Sequence, residues 1–130
     1  MNEMNTGRDI TLIFFVDGQP HEPDLVTRFS NEADADDVWS GQLHVVRKDG
    51  FLERLAHEQS LGLGVQLDIF MRIQEKDGGE SHVGFTGCHL RLIKGGEWAA
   101  NSVVDQVFTW GGAKRHLTYH PAAPKALVAA

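Results

Sequence analysis

Residues 64–75 constrain the fold more than any other part of the chain. Val65, Leu67, Ile69, Met71 and Ile73 occupy every odd position from 65 to 73, while Gln66, Asp68, Arg72 and Gln74 take all but one of the even ones. Strict alternation places the apolar residues on one face of an extended strand, which a helix of 3.6 residues per turn cannot do. Phe70 breaks the even face, so something is expected to cover the middle of that side too. Asp77-Gly78-Gly79 can supply the positive φ angles of a tight connection, and residues 81–85 return with Val83 and Phe85 in phase. A β-hairpin is expected here.

After Phe85 the phase slips. Cys88, Leu90 and Leu92 alternate on even numbers, with Gly87 at the slip. A bulged continuation of the strand fits. So does a short helix, capped by Thr86 and stopped by Gly95-Gly96. The sequence leaves both open.

Residues 10–16 read as a first strand closed by Asp17-Gly18, and residues 43–48 as another, ended by Asp49-Gly50. Pro23-Asp24 suits the first turn of a helix with Leu25, Val26 and Phe29 as its apolar stripe. Phe51, Leu52, Leu55 and Ala56 recur at helical spacing, with Asp49 as a cap and Glu53, Arg54, His57 and Glu58 on the wet side. Residues 103–110 and 115–120 look like two strands joined by Gly111-Gly112. The expected fold is α+β: a mostly antiparallel sheet with two or three helices packed on one face. A single domain is expected over residues 1–120, with a loosely docked tail at 121–130.

The chain has 130 residues, near the usual size of one domain, and 42% are hydrophobic. No apolar run approaches the roughly 20 residues of a membrane helix, and residues 1–9 lack a basic segment leading into an apolar one. A cytoplasmic protein without a membrane partner is expected. The net charge of −6 arises entirely within residues 1–50, which hold ten acidic and four basic side chains. Nucleic acid is disfavoured, because phosphate binding needs clustered Lys and Arg. Cys88 is the only cysteine, so no internal disulfide is possible and no thiolate-rich zinc site is expected.

Several groups could carry chemistry. His116 and His120 have helical metal-ligand spacing, but their surroundings favour a strand, where four positions span roughly 13 Å. Cys88 and His89 are adjacent, and on a strand they point to opposite faces. The loop Asp17-Gly18-Gln19-Pro20-His21-Glu22-Pro23-Asp24 gathers carboxylates around an imidazole, yet a turn and a helix start demand the same residues. No catalytic residue, metal ligand or cofactor is assigned from these patterns. The glycine pairs at 78–79, 95–96 and 111–112 lack phosphate-loop spacing and read as turns.

Trp39, Trp98 and Trp110 each lie beside a loop or strand end. With Phe70 and Tyr119 they could line a ligand pocket at a sheet rim. Glu32, Asp34, Asp36 and Asp37 form an acidic run that could face a basic partner, or form a solvated helix face capped by Asn31. The expected function is a small non-enzymatic binding or regulatory module. It would recognise a small apolar or aromatic ligand, or a protein partner, through the tryptophan-lined face and the acidic surface. The alternative is a small hydrolase or isomerase pairing His21 or His89 with Asp17, Glu22 or Asp68. A homodimer is also expected, since small open sheets pair their edges or faces.

Overall fold

The computed structural model describes residues 2–5, 9–21 and 25–122. Nine strands and one helix follow one another in the order β1 (Asn2–Asn5), β2 (Asp9–Val16), β3 (Gln19–His21), β4 (Leu25–Phe29), β5 (Glu32–Ala33), β6 (Trp39–Arg47), α1 (Phe51–Ser60), β7 (Leu67–Gln74), β8 (Glu80–Lys94) and β9 (Val104–His120). Every pairing is antiparallel, and the spatial order is β1-β2-β7-β8-β9-β6-β4, with β3 beside β2 and β5 beside β6. The sheet curls into a half-barrel whose outer strands β1 and β4 come within 8 Å between Cα atoms.

This corrects the expected α+β arrangement. One short helix, α1, is present among the described residues, not two or three on one face. Pro23 and Asp24, read as a helix start, lie outside the described residues, but Leu25–Phe29 is strand β4. Its apolar positions mimicked a helix because of a bulge. The register against β6 shifts between Val26 and Arg28, so Val26 faces Val45 and Phe29 faces Leu43 across an inserted Thr27. A bulge turns an alternating pattern into an i, i+3 pattern. The Thr27 hydroxyl donates to the His44 carbonyl at 3.1 Å, holding the extra residue to the neighbouring strand.

The same device shapes the two longest strands. In β8 the register against β7 shifts at Gly87 (φ +73°), and the strand continues to Lys94, so residues 86–94 are bulged strand and not helix. In β9 the inward positions change from Phe108 and Trp110 to Ala113, and the register against β6 shifts there, next to Gly112 (φ +72°). Gly111-Gly112 therefore bends one 17-residue strand instead of joining two. The bulges at Gly87 and Gly112 sit on neighbouring strands and together sharpen the curl.

The hairpin expectation holds. Leu67 and Ile69 are fully buried and Met71 nearly so, and β7 returns as β8 with Met71 opposite Val83 and Ile69 opposite Phe85. Phe70, on the other face, is half-buried between the rings of Phe15 (6.5 Å) and His82 (5.3 Å). Asp17 and Gly18 both have positive φ and connect β2 to β3 with Val16 opposite Gln19, a two-residue hairpin turn. The acidic run is a hairpin tip, not a helix face. Glu32 and Ala33 form β5, and the Asp34 carboxylate accepts from the N–H groups of Asp36 (2.8 Å) and Val38 (3.0 Å).

The core fills the concave side: Leu12, Phe14, Leu43, Val45, Phe85, Leu90, Phe108 and Trp110 are at most 1% exposed. Helix α1 adds Leu52, Leu55 and Ala56 to it. The Asp49 carboxylate accepts from the Phe51 N–H at 3.0 Å, while Gly50 takes the left-handed conformation at the cap. No helix among the described residues is long and apolar enough to cross a membrane.

Candidate functional site

Helix α1 lies along the edge of β8, where that strand outruns its partner. β7 begins at Leu67, opposite Cys88, so β8 beyond Cys88 has no strand on that side among the described residues. Gln59 takes over part of the missing ladder. Its amide nitrogen donates to the carbonyls of Cys88 (3.0 Å) and Val65 (3.2 Å), and its amide oxygen accepts from the Leu90 N–H at 2.7 Å. Gln59 follows Leu52, Leu55 and Ala56 at positions i, i+3, i+4 and i+7, so a polar residue stands on the apolar stripe. That was the available signal in the sequence, and pattern reading missed it.

Beyond Gln59, a groove of about 790 Å³ opens between α1 and residues 89–92. Ala56 and Leu90 are buried in its floor and Leu92 half-buried, while Arg54, His57, Glu58, Ser60, His89 and Arg91 are exposed around it. By the alternation of an antiparallel strand, Leu92 presents its backbone N–H and C=O to the same side as Leu90. Glu53 is fixed at one end, where its carboxylate accepts from the amide of fully buried Gln106 at 2.7 Å. The same Gln106 nitrogen donates to the Gly95 carbonyl at 3.2 Å. The helical spacing alone puts Glu53 on the wet side, whereas its carboxylate is held by a buried amide.

The five aromatic residues expected to line a pocket fall in four places. Trp110 is buried, stacked on Phe29 (5.3 Å, 3° between planes) and edge-on to Phe85 (4.8 Å). Trp39 is half-buried 6.1 Å from the same Phe85 ring, with the Arg115 guanidinium 4.8 Å from its centroid. The structure thus brings Trp39 and Trp110 together inside the half-barrel. Trp98 is 63% exposed in the connection between β8 and β9, with Arg47 4.9 Å from its ring centroid. Phe70 lies on the convex face, and Tyr119 is near the end of β9, its hydroxyl donating to the Asp77 carboxylate. Glu32, Asp34, Asp36 and Asp37 are all exposed at one hairpin tip.

The groups of the hydrolase reading have other partners. Asp17 accepts from the Gln66 N–H at 2.9 Å, and Asp68 from the Gly87 N–H at 2.9 Å. His21 stacks on Phe51 at 4.7 Å, His89 is exposed on the groove, and Glu22 lies outside the described residues. Cys88 is 2% exposed, its thiol donates to the Phe85 carbonyl, and burial pushes its pKa up to about 12. Such a thiol is not a nucleophile near neutrality. His116 and His120 do not face one site. The His120 ring lies 4.2 Å from that of His82, and His116 is 3.3 Å from the Thr86 hydroxyl. Among the described residues no group of three or more His, Cys, Asp or Glu side chains is placed to hold a metal ion.

Compared with protein-family models and with curated proteins, the sequence matches none.

Proposed function

We propose that this chain is a non-enzymatic, cytoplasmic binding module that receives an extended peptide segment of a protein partner in the groove between α1 and β8. The observation that carries this reading is the edge of β8 at Leu92, which no strand covers among the described residues. Backbone groups there face a groove with an apolar floor and a polar rim. A peptide strand added to such an edge gains main-chain hydrogen bonds, and alternate side chains find the pocket beside it. Apolar residues at every second position would meet Ala56, Leu90 and Leu92, and polar ones between them would meet His57, His89 and Arg91. The exposed carboxylates of Glu32, Asp36 and Asp37 support a second contact, with a basic part of the same partner. The lone, buried thiol of Cys88 supports a reducing compartment.

Selection from a phage-displayed peptide library tests the reading. Enriched peptides should alternate apolar and polar residues. Their binding should fall with Leu92→Pro, which removes the edge N–H, and with Ser60→Trp, which fills the groove. Selection without enrichment, or binders indifferent to both substitutions, would overturn it.

A further inference from the structure

Among the described residues, the second half of β9 has a neighbour on one side only. β9 stays paired with β8 as far as His120, whereas β6 reaches it only as far as Ala113. Among the described residues nothing pairs with the other edge of residues 114–120. This bare edge is seven residues long, bounded by the bulge at Gly112 and by Pro121. Leu117 and Tyr119 stand opposite Val83 and Ser81, so they lie on the same sheet face as those two buried residues. Yet Leu117 is 57% exposed and Tyr119 49%, because among the described residues no strand continues the sheet beyond them. Natural sheets seldom leave such an edge uncovered.

We propose that this edge pairs antiparallel with the same edge of a second copy, with the two-fold axis at Leu117. That register sets Leu117 against Leu117, His116 against Thr118, Arg115 against Tyr119 and Lys114 against His120. All seven residues are used and no Lys or Arg faces another. Centring on Thr118 would bring Pro121, which has no N–H, into the ladder, and centring on Arg115 would oppose two guanidinium groups. Centring between residues would turn the apolar face of one copy to the polar face of the other. In this register β1-β2-β7-β8-β9 of each copy becomes half of one continuous ten-stranded sheet.

Sedimentation equilibrium of the full chain at micromolar loading reads the proposal directly. The expected species is a reversible dimer of the 14.4 kDa chain. Leu117→Lys places two ammonium groups face to face and should raise the dimer dissociation constant about tenfold or more. Leu117→Cys should form an intermolecular disulfide on mild oxidation, since facing residues in antiparallel strands have Cα atoms about 4.5–5.5 Å apart. Ile93→Cys, at an exposed position on β8, should not. Both substitutions at 117 fall on an exposed side chain, and circular dichroism verifies that the fold persists. A monomer at all loadings overturns the proposal, as does a dimer that ignores Leu117→Lys and leaves Leu117→Cys uncrosslinked.

Discussion

The Asp68 carboxylate accepts a hydrogen bond of 2.9 Å from the backbone N–H of Gly87, the residue inserted where β8 bulges against β7. A bulge leaves one N–H without its ladder partner. Here a side chain on the neighbouring strand supplies the acceptor, and Gly87 adopts the left-handed conformation (φ +73°) that the bulge needs. Sheet curvature at this point therefore depends on two residues, one chosen for its backbone and one for its carboxylate.

Gly87→Ala should destabilise the fold by about 1 kcal/mol, the penalty of a Cβ in left-handed backbone. Nothing lies within 4 Å of the position that Cβ would occupy, so no steric cost is added. Asp68→Ala should cost a similar amount, about 1 kcal/mol, and Asp68→Asn less because it keeps an acceptor. Urea unfolding of the three variants checks this ordering.

Gln59 bonds to two backbone groups of β8, the Cys88 carbonyl and the Leu90 N–H. Replacing it with Leu keeps the size and removes both bonds. The expected loss is about 1–3 kcal/mol. The Leu90 amide should also exchange with deuterium faster than in the parent chain, which separates loss of this bond from a general loss of stability.

Gly41 tolerates no side chain. A Cβ there would overlap the carbonyl oxygen of Ser30, which belongs to backbone and cannot swing away, and would press on the Trp110 indole nitrogen at 3.0 Å. Gly41→Ala should cost about 3 kcal/mol through forced backbone displacement. Thermal unfolding should show a far larger drop than for Gly84→Ala, where nothing lies within 4 Å of the added atom.

Asp77 and Tyr119 tie the β7–β8 turn to the end of β9. The hydrogen bond from Tyr119 holds the Asp77 carboxyl below its ordinary 3.8, and the same bond raises Tyr119 above 10.0. For Asp77 the lowered folded-state value means stability present above the unfolded pKa and lost as pH falls through the folded one. For Tyr119 the raised value means stability present below pH 10 and lost as the phenol ionises. Tyr119→Phe should return the Asp77 titration, followed by carboxyl NMR, toward 3.8. It should also flatten the stability profile at both ends; an unmoved Asp77 titration would refute the coupling.

The groove and the bulges were legible to different degrees. Gly87 marked the phase slip in β8, because glycine stood where the odd-numbered apolar residues gave way to even ones. Thr27 gave no such mark, and the spacing of Val26 and Phe29 fitted a helical stripe as well as a bulged strand. Gln59 stood on an apolar stripe, but whether its amide met water or a strand edge depended on where β7 began to pair with β8. The tryptophans were the least legible. Each stands near a strand end in the sequence, and only the curl of the sheet puts Trp39 and Trp110 inside and Trp98 outside.

By itself, the sequence determined the elements whose causes are local. Alternation through residues 65–73 fixed which side chains face the core, Asp17-Gly18 and Asp77-Gly78-Gly79 fixed turns, and the spacing of Leu52, Leu55 and Ala56 fixed a helix. A single cysteine excluded an internal disulfide. Tertiary structure decided where alternation changes phase, that residues 104–120 are one bent strand, and that one helix covers a strand edge instead of several covering a face. The physical reason is the range of the interactions. A strand's two faces follow from its own backbone, but a bulge exists only relative to the strand beside it, and an edge only where that neighbour ends.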